Sequence, residues 1–375
     1  MKACICGKSR SVIVSGIVIC MIVCILVFSS ASSKGIVSGL EYSSKLLIPS
    51  LFPFMVLSGF IIRSGISVYL GKLTAPLTTH IFRLPEKASA AVLLSFIGGF
   101  PVGAKCVRLL YDKGDINSCQ AEQMMLFCIC SGPAFLITGV GTIMLGNPVS
   151  GLILYVSQLL SGLILGILSG VIYRDSDMSE SAERKEYEKG GYINDFICSC
   201  SDGAVSVINL VSLVVFFSMF LSVAEEIGLS GLLYSLLKMF GADHSLADCA
   251  FPIISEVTTA CNRICQGGCP LSMLSLAAGF GGLCVHFQIF ALLGDMKVSK
   301  LKIIAFRFIN AFLSSVITEI ICCFYVPSVS AFALYGNEVE LSSATIAGTA
   351  ALIIMCAVFL LSLKSSELKR TIIRK

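Results

Sequence analysis

The sequence is poor in charge and in the side chains that enzymes use to move protons. Asp, Glu, Lys and Arg together make up 13% of its 375 residues, and it has three histidines, His80, His244 and His286. No H-E-x-x-H zinc motif, G-x-S-x-G nucleophile turn or Walker phosphate loop occurs. No nucleophile stands beside an evident base, so no enzyme activity and no cofactor is expected. What fills the composition instead is apolar: 56% of residues are hydrophobic. A soluble domain could not keep that much apolar surface from water, so the fold class is all-α, a polytopic membrane protein. The net charge of +4 is no argument for nucleic acid; what counts is where the charges lie. Cysteine is abundant, at eighteen. Most cysteines sit inside apolar runs, where a thiol behaves as a small hydrophobe. Cys261, Cys265 and Cys269 form a C-x3-C-x3-C run, but no histidines complete a zinc pattern, and no metal or disulfide role is expected.

The stretch SFIGGFPVGAKCVRLLYDK, 95–113, organises the rest. It starts as an apolar helix, breaks at Gly98, Gly99, Pro101 and Gly103, and resumes with Lys105 and Arg108. Pro101 has no backbone N–H, and the glycines loosen the ladder around it. In hydrocarbon a freed backbone group costs several kcal/mol unless protein or a wet cavity receives it. The stretch therefore reads as a re-entrant helix whose open backbone lines a cavity. AFPIISEVTTACN, 250–262, reads as its counterpart, with Pro252 and Glu256 inside it.

Taken in order, residues 11–30 form a first apolar helix after a basic start. Its apolar core is longer than that of a signal peptide, so it is expected to be retained. Further spans are expected over 46–62, 124–145, 151–173, 205–223, 271–293, 303–326 and 344–363. Short helices are expected over 67–83 and 229–240. The polar stretch 174–195 reads as a soluble linker. With both termini in the cytoplasm and both broken segments re-entering, the cytoplasmic parts hold 23 of the 27 Lys and Arg.

Each half then has a span, a short helix, a broken segment and two spans. Three full crossings per half make the second half start from the opposite side, so the repeat is inverted. Inverted repeats with discontinuous helices are a transporter architecture, with the site near the midplane. The expected parts are an N-terminal helix and outer loop (1–45), a first repeat (46–173), a cytoplasmic linker (174–203), a second repeat (204–326), and an outer loop, last helix and basic tail (327–375).

SLFPFMVLSGFI, SFIGGFPVGAK, CSGPAF and GFGGLCVHFQ resemble the sporulation integral membrane proteins of the YlbJ type. Those contain the nucleoside-recognition or Gate domain, shared with spore maturation proteins and concentrative nucleoside transporters. The resemblance runs over nearly all of 40–325. It implies a protein of the membrane of a spore-forming bacterium, needed for sporulation, and a nucleoside-like or small polar solute. Where relatives often have Asn-Pro, this chain has Gly132-Pro133, which removes a side chain there.

Glu256 is the sharpest candidate, since a carboxylate in an interrupted apolar segment marks an ion or solute path. It either couples a proton or cation, or stands solvated at an outer mouth. Thr258, Thr259 and Asn262 follow it on nearby turns and offer hydrogen bonds to a polar solute. Lys105 and Arg108 share a helical face. They either attract an anion, or pair across the repeat, or snorkel to the cytoplasm. His286 and Gln288 lie in an apolar span, as proton carrier and reader of polar edges, or as packed core groups. Glu319 is a further acid there, or an outer-interface group. Asn209, Gln158, Arg307 and Asn310 are expected to bridge helices. With the backbone of Gly99, Pro101, Gly103 and Gly132, these residues make the expected solute site, its hairpin tips at 98–105 and 255–262.

The expected partners are the bilayer, a small polar solute and a coupling proton or cation. Other sporulation membrane proteins or a second copy of the chain are the partners of the alternative, a non-transporting assembly factor for the spore envelope. Nucleic acid is not expected.

Overall fold

Two prolines early in the first long apolar run set its shape. Pro49 and Pro53 lack the N–H that would continue an i→i−4 ladder. The computed structural model, which describes residues 2–173 and 191–324, absorbs this with a wider π turn just before them. After α1 (Lys2–Val27), α2 (Ser29–Tyr42) passes through the π turn Ser43–Leu47 into α3 (Ile48–Arg63) as one long rod. Gly35 and Gly39 let α2 lie close on a later long helix: a Cβ on Gly35 would come within 2.6 Å of Met219 Cα. Among the described residues five helical stretches are long and apolar enough to cross a membrane, counting 271–293 across its break, and no strand occurs.

The chain then makes a short helix α4 (Ser67–Gly71), a π turn at Leu77–Ile81, and the pair α5 (Ser89–Gly98) and α6 (Phe100–Asp112). The single short helix expected over 67–83 is thus two pieces, parted before Pro76. Helices α5 and α6 form a hairpin. A Cβ on Gly103 would lie 3.0 Å from Ser95 Cβ, where eight residues of straight helix would separate them by about 12 Å.

The uninterrupted span expected over 124–145 does not exist. Helix α7 (Ser118–Phe127) stops, residues 128–132 are non-helical, and after Pro133 a π-helical rod Ala134–Met144 follows. Ser131, Gly132 and Pro133 account for the stop, since Pro133 cannot donate and Gly132 sits against another backbone. Asn147 then caps α8 (Pro148–Ile172) by accepting from the amides of Val149 (3.0 Å) and Ser150 (3.4 Å).

The second half repeats this order. Helix α9 (Tyr192–Glu226) is the long rod, and α10 (Leu229–Met239) is short with no buried residue. Helices α11 (His244–Ser255) and α12 (Val257–Gln266) form the second hairpin. Arg263 lies 4.0 Å from Asp248 on the other limb, where a straight helix would part them by roughly 22 Å. The span 271–293 is also broken, into α13 (Leu271–Phe280) and α14 (Gly282–Leu293), at Gly281 (φ +82°) and Gly282 (φ +71°). Helix α15 (Lys300–Phe324) closes the order. The last expected span, 344–363, the basic tail and most of the linker lie outside the described residues.

Helix α9 also measures how the hairpins enter. In its first third Asp202 pairs with Arg63, the last residue of α3, and Lys113, at the root of the first hairpin, bonds to the Ile62 carbonyl. At its end Glu225 pairs with Arg263, at the root of the second hairpin. Residues 202 and 225 stand roughly 35 Å apart along the helix. The two hairpin roots therefore lie at opposite ends of α9.

Candidate functional site

The tip of the first hairpin is built on backbone. Gly99 has φ +86° and ψ −175°, which side chains with a Cβ avoid. Pro101 sits in the first turn of α6, where its missing N–H has no helical partner to lose. The tip rests on the first helix break: a Cβ on Gly99 would meet the Gly132 amide nitrogen at 3.0 Å. Gly103 is pressed against the same break, with Cys128 O only 1.9 Å from where its Cβ would be.

The tip of the second hairpin is built on Glu256. Its backbone is extended (φ −151°, ψ 124°), and its side chain caps α12. One carboxylate oxygen accepts from the Thr258 amide (2.9 Å); the other accepts from the Thr259 amide (2.7 Å) and hydroxyl (2.9 Å). Glu256 is 1% exposed, so it is not a solvated group at a mouth. This tip rests on the second break: a Cβ on Gly282 would lie 3.0 Å from the Glu256 amide. Each hairpin thus docks on the broken helix that follows it in its own half.

The two tips wall one cavity. Gly98, Gly99, Phe100 and Pro101 form one side, and Glu256, Val257 and Thr258 the other. Gly132, Phe135, Val285 and Gln288 come from the broken helices, and Leu47, Ser50, Leu51 and Val214 from the long rods. The space open to water centres is about 50 Å³, room for a few waters at the roughly 10–15 Å³ each needs. The wall is mostly apolar, with Glu256, Thr258, Ser50 and Gln288 as its polar side chains.

Of the expected site residues, Gly99, Pro101, Gly132, Glu256, Thr258 and Gln288 line this cavity. The others stand apart from it. Gly103 packs behind the tip. Thr259 supports Glu256, and Asn262 donates to Tyr42 Oη (3.0 Å). His286 is 2% exposed; Nδ1 meets the Gly282 carbonyl at 2.6 Å and Nε2 has no hydrogen-bond partner among the described residues. Lys105 is 7% exposed and its Nζ has no hydrogen-bond partner among the described residues, so it does not snorkel. Arg108 pairs across the halves, donating to the Leu293 carbonyl and Asp295 (both 2.7 Å). Phe100, Phe135 and Val285 were not legible as wall residues, because their apolar context matches any buried helix.

The halves are joined by polar contacts along α8 and α15, as expected of Gln158, Arg307 and Asn310. Gln158 Nε2 donates to the Ser275 carbonyl (2.9 Å) and Ser314 (3.0 Å), and Ser161 donates to Asn310 (2.7 Å). At the cytoplasmic end expected from the charges, Glu122 accepts from Tyr173, Lys302 and the Ser299 amide. Burial and the bond to Glu122 push the Tyr173 phenol up to about 12.

No protein-family model matches the sequence. Among curated proteins, the sporulation integral membrane protein YlbJ of Bacillus subtilis (strain 168) is 26% identical over 161 residues. The chain is similar to the YlbJ type of sporulation integral membrane protein. The match covers 43% of this chain and spans 40% of the length of YlbJ. Among solved structures, a doubly substituted CNTnw in an outward-facing state covers 85% of both chains, at 12% identity and a TM-score of 0.43. A likeness that loose carries no argument about this chain.

Proposed function

We propose that this membrane protein moves a small polar solute, nucleoside-like in class, across the bilayer by alternating access, and that it serves sporulation. The observation that supports this best is the shared cavity: two hairpins rooted at opposite ends of α9 bring Gly99 and Glu256 to one small chamber. In this reading the halves, 46–173 and 204–326, are inverted repeats, and movement of one hairpin opens the chamber to one side at a time. The open backbone of the tips contacts the solute, as such backbone is tolerated at membrane depth only where it lines a cavity. Thr258 and Gln288 offer polar contacts, and Glu256 couples a proton or cation to the movement. The test is the double variant Glu256→Gln with Lys105→Met. Loss of sporulation at normal protein level, with a metabolite changed in the forespore, is the expected outcome. Full sporulation in the double variant would overturn the transport reading and leave an assembly role.

A further inference from the structure

Arg307 is the largest fully buried side chain among the described residues, at 1% exposure, and it lies within a membrane-crossing helix. A guanidinium at that depth normally faces a carboxylate or a water-filled path. Among the described residues no salt bridge reaches it, and all three of its nitrogens donate to backbone carbonyls. Nε donates to Phe280 (3.3 Å), Nη2 to Ala278 (3.4 Å) and Nη1 to Ile129. These oxygens share one property. Ala278 and Phe280 belong to the last turn of α13, and Ile129 follows the end of α7. Each is a carbonyl at the point where a helix breaks, the Ala278 oxygen also accepting from Ser131 Oγ (3.1 Å), and helix C-termini carry partial negative charge. The Phe100 ring, at the first hairpin tip, adds its π face 4.7 Å from the guanidinium carbon. Gly281 makes room on the remaining side: a Cβ there would lie 3.3 Å from Nη2.

Carbonyl ends of broken helices are the groups that hold free cations in membrane proteins. We propose that the carbonyls of Ile129, Ala278 and Phe280 form a cation site which this chain fills with its own Arg307. The two helix breaks are held beside each other by a tethered charge, where a free ion would otherwise be needed. This stands independently of whether the chain transports.

The test uses the full chain in detergent. Among the described residues six thiols are buried, Cys106, Cys128, Cys130, Cys249, Cys261 and Cys284, and they become reactive on unfolding, so the rise in labelling by a thiol-reactive dye reports the thermal midpoint. Arg307→Ala is expected to lower the midpoint by roughly 5 °C or more. Low millimolar guanidinium should restore at least half of that loss saturably, while tetramethylammonium at equal ionic strength should not. The parent, its site filled, should not respond to either. An unchanged midpoint, or a loss that guanidinium leaves untouched, overturns the proposal. If the alanine variant does not fold, Arg307→Lys and Arg307→Gln decide. Lysine keeps the charge without the fork, and glutamine keeps donors without the charge. The lysine variant must be the more stable of the two; a glutamine variant as stable or more so overturns the proposal.

Discussion

At the scale of single residues, two buried charges behave differently because their surroundings differ. Glu256 uses both oxygens on the first turn of α12, so its removal takes away a helix cap. Glu256→Ala is expected to cost about 1–2 kcal/mol of stability. Glu256→Gln should cost less, since an amide oxygen still accepts one amide bond; chemical or thermal unfolding of the purified variants measures both. Lys105 has no hydrogen-bond partner to lose among the described residues. Replacing a buried ammonium that lacks a hydrogen bond with an apolar group of similar length removes its desolvation cost and is expected to stabilise. Lys105→Met should therefore raise the thermal midpoint. If the same variant fails in sporulation, the charge serves function; a fall in the midpoint would mean that the ammonium is bonded. Both residues stood out in the sequence because ionisable groups are conspicuous in apolar runs. Their settings did not. Nothing in SEVTTACN says that Glu256 bonds inward to its own helix and not outward to water, because that depends on which backbone packs over the tip.

At the scale of elements, the four interruptions decide the architecture. The hairpins were legible, since Gly-Gly-Phe-Pro-Val-Gly and a Pro followed by Glu disrupt any helix. The break in α13–α14 was not, because Gly-Phe-Gly-Gly in an apolar run also suits an unbroken helix packed closely on a neighbour. The break after α7 was missed for a similar reason: one proline in a membrane helix more often kinks it than ends it. What breaks α13–α14 is the positive φ at Gly281 and Gly282 and the Ser255–Glu256 backbone lying against Gly282, and neither is legible in the local sequence. Two glycines give a direct check. Gly228 has φ +84° and open space where a Cβ would go. Gly282 has φ +71° and the Ser255–Glu256 backbone 3.0 Å away. Alanine at Gly228 should cost only the strain of a left-handed residue, about 1–2 kcal/mol. Gly282→Ala should lower the thermal midpoint clearly further, because it also pushes the hairpin tip off its seat. Equal effects would mean that the tip does not rest there.

At the scale of the whole molecule, the order of elements in the second half repeats that of the first, and the hairpin roots mark opposite ends of α9. The spacing of apolar runs made the repeat visible, and the distribution of Lys and Arg supplied an orientation. The convergence of both tips on one cavity needed the fold, since residues 99 and 256 are far apart in the chain. The account depends on the hairpins entering from opposite faces of the membrane. Glu86 and His244 are exposed residues at the two roots. In a chain freed of its own eighteen cysteines, Glu86→Cys and His244→Cys can be placed one at a time. Each is then labelled with a membrane-impermeant thiol reagent in vesicles of known sidedness. The account predicts that position 86 reacts only from the cytoplasmic face and position 244 only from the outer face. Labelling of both positions from the same face would contradict it.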